Sequence, residues 1–152
     1  LHVALPICYS LSEFNAAFLY AQFEIADEIT KKRNLLADAY RENLTEFADK
    51  EHLELQTYPE HCKPNGHIFY FKLNDYEQRK QMISHLKENG VQSVFHYVPL
   101  HSSIGGKKYG RFYGDDNFTT KESERLLRLP LYHELEVSQV NYICDKVKEF
   151  YK

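Results

Sequence analysis

Apolar residues fall at helical spacing along the first third of the chain. Phe14, Ala17, Phe18, Ala21, Ile25, Ile29, Leu36 and Tyr40 recur at intervals that put them on one stripe, the pattern of an amphipathic helix. Ser10 and Glu13 stand at capping-box spacing, so the helix is expected to start after Ser10 and to run to about Leu44. A helix of that length needs other surfaces to cover it. Its Lys31-Lys32-Arg33 cluster belongs on a solvated face.

The rest of the chain alternates between strand and helix patterns. Residues 53–56 predict a short strand, and the Pro- and Gly-containing run 59–66 predicts a loop. Residues 68–73 (Ile-Phe-Tyr-Phe-Lys-Leu) are the clearest strand signal. Asn74 and Glu77 then predict the cap of a helix that ends at Asn89-Gly90. A second strand is expected over 91–96, and a Gly- and Tyr-rich loop over 99–118. Thr119 and Glu122 predict the cap of a short helix to about Arg128. Leu129-Pro130-Leu131 reads as a brief extended piece at a sheet edge. Val140, Ile143, Cys144, Val147 and Phe150 make 137–151 a closing amphipathic helix. The fold class is α/β in the α+β sense: a small, mostly antiparallel sheet packed with helices and preceded by a long helix.

Composition narrows the function classes. The chain has 152 residues, 43% of them hydrophobic, which is enough for one domain with its own core. A net charge of -3 offers no electrostatic case for nucleic acid. No apolar run reaches the roughly 20 residues of a membrane span. Cys8, Cys62 and Cys144 are scattered and odd in number, so they read as free thiols in a reducing cytoplasm. The opening Leu1-His2-Val3-Ala4-Leu5-Pro6-Ile7 lacks the layout of a signal peptide. Its Ala-Leu-Pro-Ile also matches the translated end of a common sequencing adapter. Residues 1–8 are therefore expected to be a non-native or truncated lead, and 9–152 the domain.

Candidate chemistry is concentrated after the second predicted strand. His96 and His101 flank Tyr97-Val98-Pro99-Leu100 where that strand passes into a loop, a usual place for ligand contacts. Two loop histidines can equally satisfy nearby carbonyls. Gly105-Gly106-Lys107-Lys108-Tyr109-Gly110-Arg111 is a basic loop able to close over a diphosphate, with Asp115 and Asp116 partly cancelling its charge. A solvated surface loop is the blander reading. His61, Cys62 and His67 lack the paired spacing of a zinc site, so no metal is expected. Ser102 and Ser103 adjoin His101, but adjacency in sequence makes no catalytic triad.

Two blocks are more specific together than either is alone. Phe95-His96-Tyr97-Val98-Pro99-Leu100-His101 is followed by Thr119-Thr120-Lys121-Glu122-Ser123-Glu124-Arg125-Leu126-Leu127-Arg128-Leu129-Pro130-Leu131. In this order they resemble the C-terminal part of the DegT/DnrJ/StrS family of sugar aminotransferases. The resemblance also covers Tyr9 through Asn15-Ala16-Ala17 and runs on through Ala21-Gln22 to the end. It implies the small C-terminal domain of a fold type I, pyridoxal-phosphate-dependent enzyme that works as a homodimer in the cytoplasm.

The reaction so implied moves an amino group from glutamate to the 4-keto carbon of a dTDP-linked 4-keto-6-deoxyhexose, in the making of lipopolysaccharide or surface-antigen precursors. The Schiff-base lysine and the aspartate facing the pyridine nitrogen belong to the family's large N-terminal domain, and no position here matches them. No catalytic residue is therefore expected in this chain, and the chain alone is expected to be inactive. By the same resemblance His101, then His96 and Tyr97, are substrate-side contacts. Cys8 and Tyr9 match a stretch that reaches the cofactor phosphate of the neighbouring subunit, with Cys8 where relatives carry Asn or Ser. The alternative is a non-catalytic nucleotide-sugar-binding or dimerisation module of the same fold.

Overall fold

The computed structural model describes residues 11–51 and 53–152. The expectations for residues 1–8, and for Tyr9 and Ser10, lie outside the described residues. In chain order the elements are α1 (Glu13–Glu24), α2 (Ala26–Glu51), β1 (Glu54–Leu55), β2 (Phe69–Lys72), α3 (Tyr76–Glu88) and β3 (Val94–Phe95). A 3-10 turn (Leu100–Ser102), α4 (Ile104–Tyr109), α5 (Thr119–Arg125), β4 (Leu126–Leu129) and α6 (Val137–Glu149) follow.

The four strands form one antiparallel sheet in the order β1-β2-β4-β3. Phe69 pairs with Leu129 and Phe71 with Leu127, so these four side chains share a face. All four are buried. Leu36, Ala37, Tyr40, Leu44 and Ala48 from α2, Met82 and Leu86 from α3, and Val140, Ile143, Cys144 and Val147 from α6 complete that core. Each fully buried side chain of this size contributes about 1.5–3 kcal/mol of transfer free energy. The Tyr40 ring stacks on Phe69 at 4.8 Å, and its hydroxyl donates to the Pro130 carbonyl at 2.8 Å. The loop over 59–66 is clipped to α2, where Asn34 donates to the Pro64 carbonyl at 3.0 Å. Gly66 sits so close to the α2 backbone, with φ +58, that a Cβ there would lie 2.7 Å from the Arg33 carbonyl carbon.

The expected architecture is present, with local corrections. The single first helix is two, broken at Ile25, whose φ of −118 and ψ of 15 leave the helical region. No Gly or Pro marks that break. The cap is Ser12, whose hydroxyl accepts from Asn15 N at 3.3 Å, instead of Ser10. The first helix's apolar stripe reaches the core only from Leu36 onward, and α1 buries nothing.

The α3 cap shifts by one residue. Asp75 accepts from Gln78 N, and the Gln78 amide oxygen accepts from Asn74 N. The 91–96 strand contracts to Val94–Phe95, and the 99–118 loop contains a 3-10 turn and α4. The helix expected to reach Arg128 stops at Arg125, with Phe118 and no side chain at its cap. Leu126–Leu129 leave it for the centre of the sheet, where pairing with strands on both sides outweighs their helical spacing. The extended piece is therefore a central strand ending before Pro130, and not an edge piece around it.

Candidate functional site

The segment joining β3 to α5 carries the candidate residues, and the backbone turns sharply at its start. Tyr97 has φ 56, a left-handed conformation that costs a non-glycine residue about 1 kcal/mol or more. The turn leaves Tyr97 72% exposed, its ring edge-on to the His96 ring at 4.9 Å. His96 lies at the end of β3, where the Arg128 guanidinium donates to its Nδ1 at 3.4 Å. Ser123 on α5 reaches the Tyr97 carbonyl at 3.5 Å. His96 and Tyr97 thus form one corner, backed by β4 and α5.

His101 lies in the 3-10 turn and takes other partners. Its Nε2 stands 2.8 Å from Asp116 Oδ2 and 3.2 Å from Thr120 Oγ1. Thr120 donates its hydroxyl to Asp116 Oδ2 and its backbone N–H to Asp116 Oδ1. The Phe112 ring packs against the imidazole at 4.5 Å. The Thr120 hydroxyl bond, with help from the Thr120 N–H and His101, holds the Asp116 carboxyl below the usual carboxylate range. Sequence reasoning took Asp116 for a charge neutraliser and missed Thr120 and Phe112. The only signal was the Asp116-to-Thr120 spacing of four around a helix start.

The basic loop is partly helical. Ser103 caps α4 by accepting from Gly106 N, and a Cβ on Gly106 would strike the Leu100 carbonyl oxygen at 1.7 Å. Lys107, Lys108 and Arg111 are exposed, and Lys108 Nζ lies 5.0 Å from the Tyr109 ring centroid. The hydroxyls of Ser102 and Ser103 donate to the Pro99 and Leu100 carbonyls, so both serve the turn. His67 bonds Asn65 at 2.7 Å. Among the described residues no three His, Cys, Asp or Glu side chains are grouped to hold a metal.

A charge cluster and one buried arginine support α5. Lys72 bridges Glu54 at 2.5 Å and Glu122 at 2.7 Å, while Arg125 reaches Glu122 at 3.1 Å, Glu54 at 3.3 Å and the Leu73 carbonyl at 2.7 Å. Arg79 is buried between the rings of Tyr76 and Phe95 and donates to the Ser123 carbonyl at 2.7 Å. That bond satisfies one of the orphan carbonyls in the last turn of α5. An open cleft of about 640 Å³, lined by Gly90, Pro130, Tyr132, Leu135, Gln139 and Tyr142 among others, includes none of His96, Tyr97 or His101.

The family model described as "DegT/DnrJ/EryC1/StrS aminotransferase family" matches residues 2–148. The chain is 28% identical over 143 residues to a pleiotropic regulatory protein of Geobacillus stearothermophilus, covering 93% of this chain and 37% of that protein. It is 24% identical over 153 residues to GDP-perosamine synthase of Escherichia coli O157:H7, covering 99% of this chain and 39% of that protein. The crystal structure of DesV from S. venezuelae, in complex with a ketimine intermediate, superposes with a TM-score of 0.79 at 25% identity. That superposition covers 93% of this chain and 37% of DesV. The chain therefore spans less than two-fifths of the length of these relatives. No helix among the described residues is long and apolar enough to cross a membrane. With the match running over nearly its whole length, the chain belongs to the DegT/DnrJ/EryC1/StrS aminotransferase family.

Proposed function

We propose that this chain is the C-terminal domain of a cytoplasmic, homodimeric sugar aminotransferase. Its substrate would be a dTDP-linked 4-keto-6-deoxyhexose and its amino donor glutamate, as in dTDP-4-amino-4,6-dideoxygalactose transaminases that feed surface-polysaccharide synthesis. The observation that carries the reading is the family match over residues 2–148. The Phe95-to-His101 and Thr119-to-Leu131 blocks support the narrower substrate. In this reading His101, His96 and Tyr97 form the substrate-side lip, holding the nucleotide sugar and excluding water from one side.

The cofactor of such an enzyme is pyridoxal phosphate, which supplies the electron sink for amino transfer. In this reading the Schiff-base lysine lies outside this chain. A lysine that forms a Schiff base needs a lowered amine pKa. Lys72 is shifted the other way: burial pulls it down, but its bonds to Glu122 and Glu54 outweigh that and raise it. Lys146 is likewise raised, by its bond to Glu149. Cys8 and Tyr9 remain the proposed contacts to the cofactor phosphate of the neighbouring subunit. The ring and its lysine then belong to other parts of the assembled enzyme.

The test is to express the complete reading frame that contains this chain and supply pyridoxal phosphate, glutamate and dTDP-4-keto-6-deoxyglucose. The expected result is 2-oxoglutarate together with a dTDP-4-amino sugar. Turnover of the GDP-linked 4-keto sugar alone would overturn the narrower substrate. No turnover of any nucleotide-linked keto sugar would overturn the reaction. A second reading, a non-catalytic nucleotide-sugar-binding or dimerisation module, is favoured by the kinship to a protein named as regulatory. It predicts saturable binding of a dTDP-sugar with no amino transfer.

A further inference from the structure

The hydrogen atoms around His101 can be assigned from the acceptors it meets. A carboxylate only accepts, and Asp116 is held in that form by Thr120 and His101. The one hydroxyl proton of Thr120 is committed to Asp116 Oδ2. Both groups facing Nε2 are therefore acceptors, and Nε2 must carry the proton shared between Asp116 Oδ2 at 2.8 Å and Thr120 Oγ1 at 3.2 Å. In the neutral ring Nδ1 is then an acceptor, and it has no hydrogen-bond partner among the described residues. Phe112 packs against the imidazole, and only 21% of the side chain is exposed, so the ring is not free to turn.

We propose that Asp116 and Thr120 are positioning residues that fix the tautomer of His101, so that its Nδ1 accepts a hydrogen bond from a sugar hydroxyl of the ligand. The inference rests on the reading of this lip as a nucleotide-sugar contact. It deepens that reading by naming the sugar, and not the diphosphate, as the part that His101 recognises. A phosphate oxygen offers only lone pairs, which the Nδ1 lone pair repels, whereas a hydroxyl offers a proton. An acceptor whose tautomer is fixed favours a ligand that brings a hydroxyl over one that lacks it.

The experiment uses the complete protein that contains this chain, labelled with 15N-histidine, at a pH where the ring is neutral, with dTDP-glucose and dTDP as probes. Nitrogen chemical shifts are expected to show His101 in the Nε2–H form. Thr120→Ser should keep that form. Asp116→Asn should populate the Nδ1–H form, because a carboxamide can donate to Nε2. Asp116→Asn should also weaken dTDP-glucose about tenfold, the cost of one hydrogen bond, while leaving dTDP unchanged. An Nδ1–H ring in the unsubstituted chain, or a tautomer unmoved by Asp116→Asn, overturns the positioning role. Equal weakening of dTDP and dTDP-glucose overturns the sugar assignment. If the unsubstituted complete protein binds neither probe, the nucleotide-sugar reading of the lip falls and the ligand assignment with it, while the nitrogen shifts still judge the positioning role separately.

Discussion

At the residue scale, Tyr40 joins the core to the end of β4. Its ring stacks on Phe69, and its buried hydroxyl donates to the Pro130 carbonyl. Burial pushes the phenol pKa well up, so the group stays neutral across the physiological range. Tyr40→Phe keeps the stack and removes the donor, leaving the Pro130 carbonyl without its tyrosine partner. The expected cost is about 1–2 kcal/mol, read as a lower urea midpoint at unchanged slope. An unchanged midpoint would mean that water replaces the hydroxyl without loss. The Tyr40 position on an apolar stripe was legible in the sequence; its hydrogen bond was not, because the acceptor is 90 residues away.

At the scale of elements, α5 shows how charge fixes a short helix that has little else. It has seven residues, none of them buried, and its N-cap residue Phe118 makes no side-chain bond, although Asp116 accepts the Thr120 N–H. Its C-terminal end is held through Glu122 and Arg125 by the ring of charges with Glu54 and Lys72. The Lys72 ammonium bond is the main cause that lowers the Glu122 pKa below its ordinary 4.5, with Arg125 adding to it. A depressed carboxyl pKa contributes stability that is present above the unfolded value and lost as pH falls through the folded one. The contribution should therefore fade below about pH 4.5. Lys72, raised above its ordinary 10.5, adds stability that is present below that value and lost as pH rises through the folded one.

Glu122 keeps a third of its side chain exposed, so screening limits the pair to about 0.5–1 kcal/mol. Glu122→Gln should lower the melting temperature at pH 7 and lose less than the parent chain between pH 5 and pH 3. Parallel melting curves for the two proteins over that range would remove Glu122 from the account. Glu122 and Arg125 stand at helical i,i+3 spacing, but their pairings with Glu54 and Lys72 were not readable from the chain, because these charges meet only once β1, β2 and α5 are docked. The helix-to-strand change at Leu126 was hidden for the same reason, since the partners on both sides that draw β4 into the sheet are far away in sequence.

For the whole molecule, the sequence reading succeeded where burial follows a local period. The stripe Val140, Ile143, Cys144 and Val147 was assigned correctly because α6 meets one continuous core. The first helix was read as a stripe that needs other surfaces to cover it, and only its α2 part finds them in this core. Phe14 is 90% exposed and Phe18 72%, so the period of α1 has no counterpart among the described residues. Within the site, the structure places His96, Tyr97 and His101 after β3, and that strand-to-loop position was legible. The ring lock on His101 was not, because Asp116 and Thr120 arrive through the turn of 103–118.

The division at Ile25 then makes a prediction about cooperativity. A proline inside a helix removes a hydrogen bond and costs about 3 kcal/mol locally. That cost reaches global stability only if the helix is coupled to the core. Ala17→Pro should unwind α1, lowering helical ellipticity while leaving the melting temperature of the chain unchanged. Ala37→Pro, 5% exposed in the α2 stripe beside Leu36 and Tyr40, should abolish the cooperative transition or shift it far down. A fall in melting temperature with Ala17→Pro as large as with Ala37→Pro would show that α1 is coupled to the core.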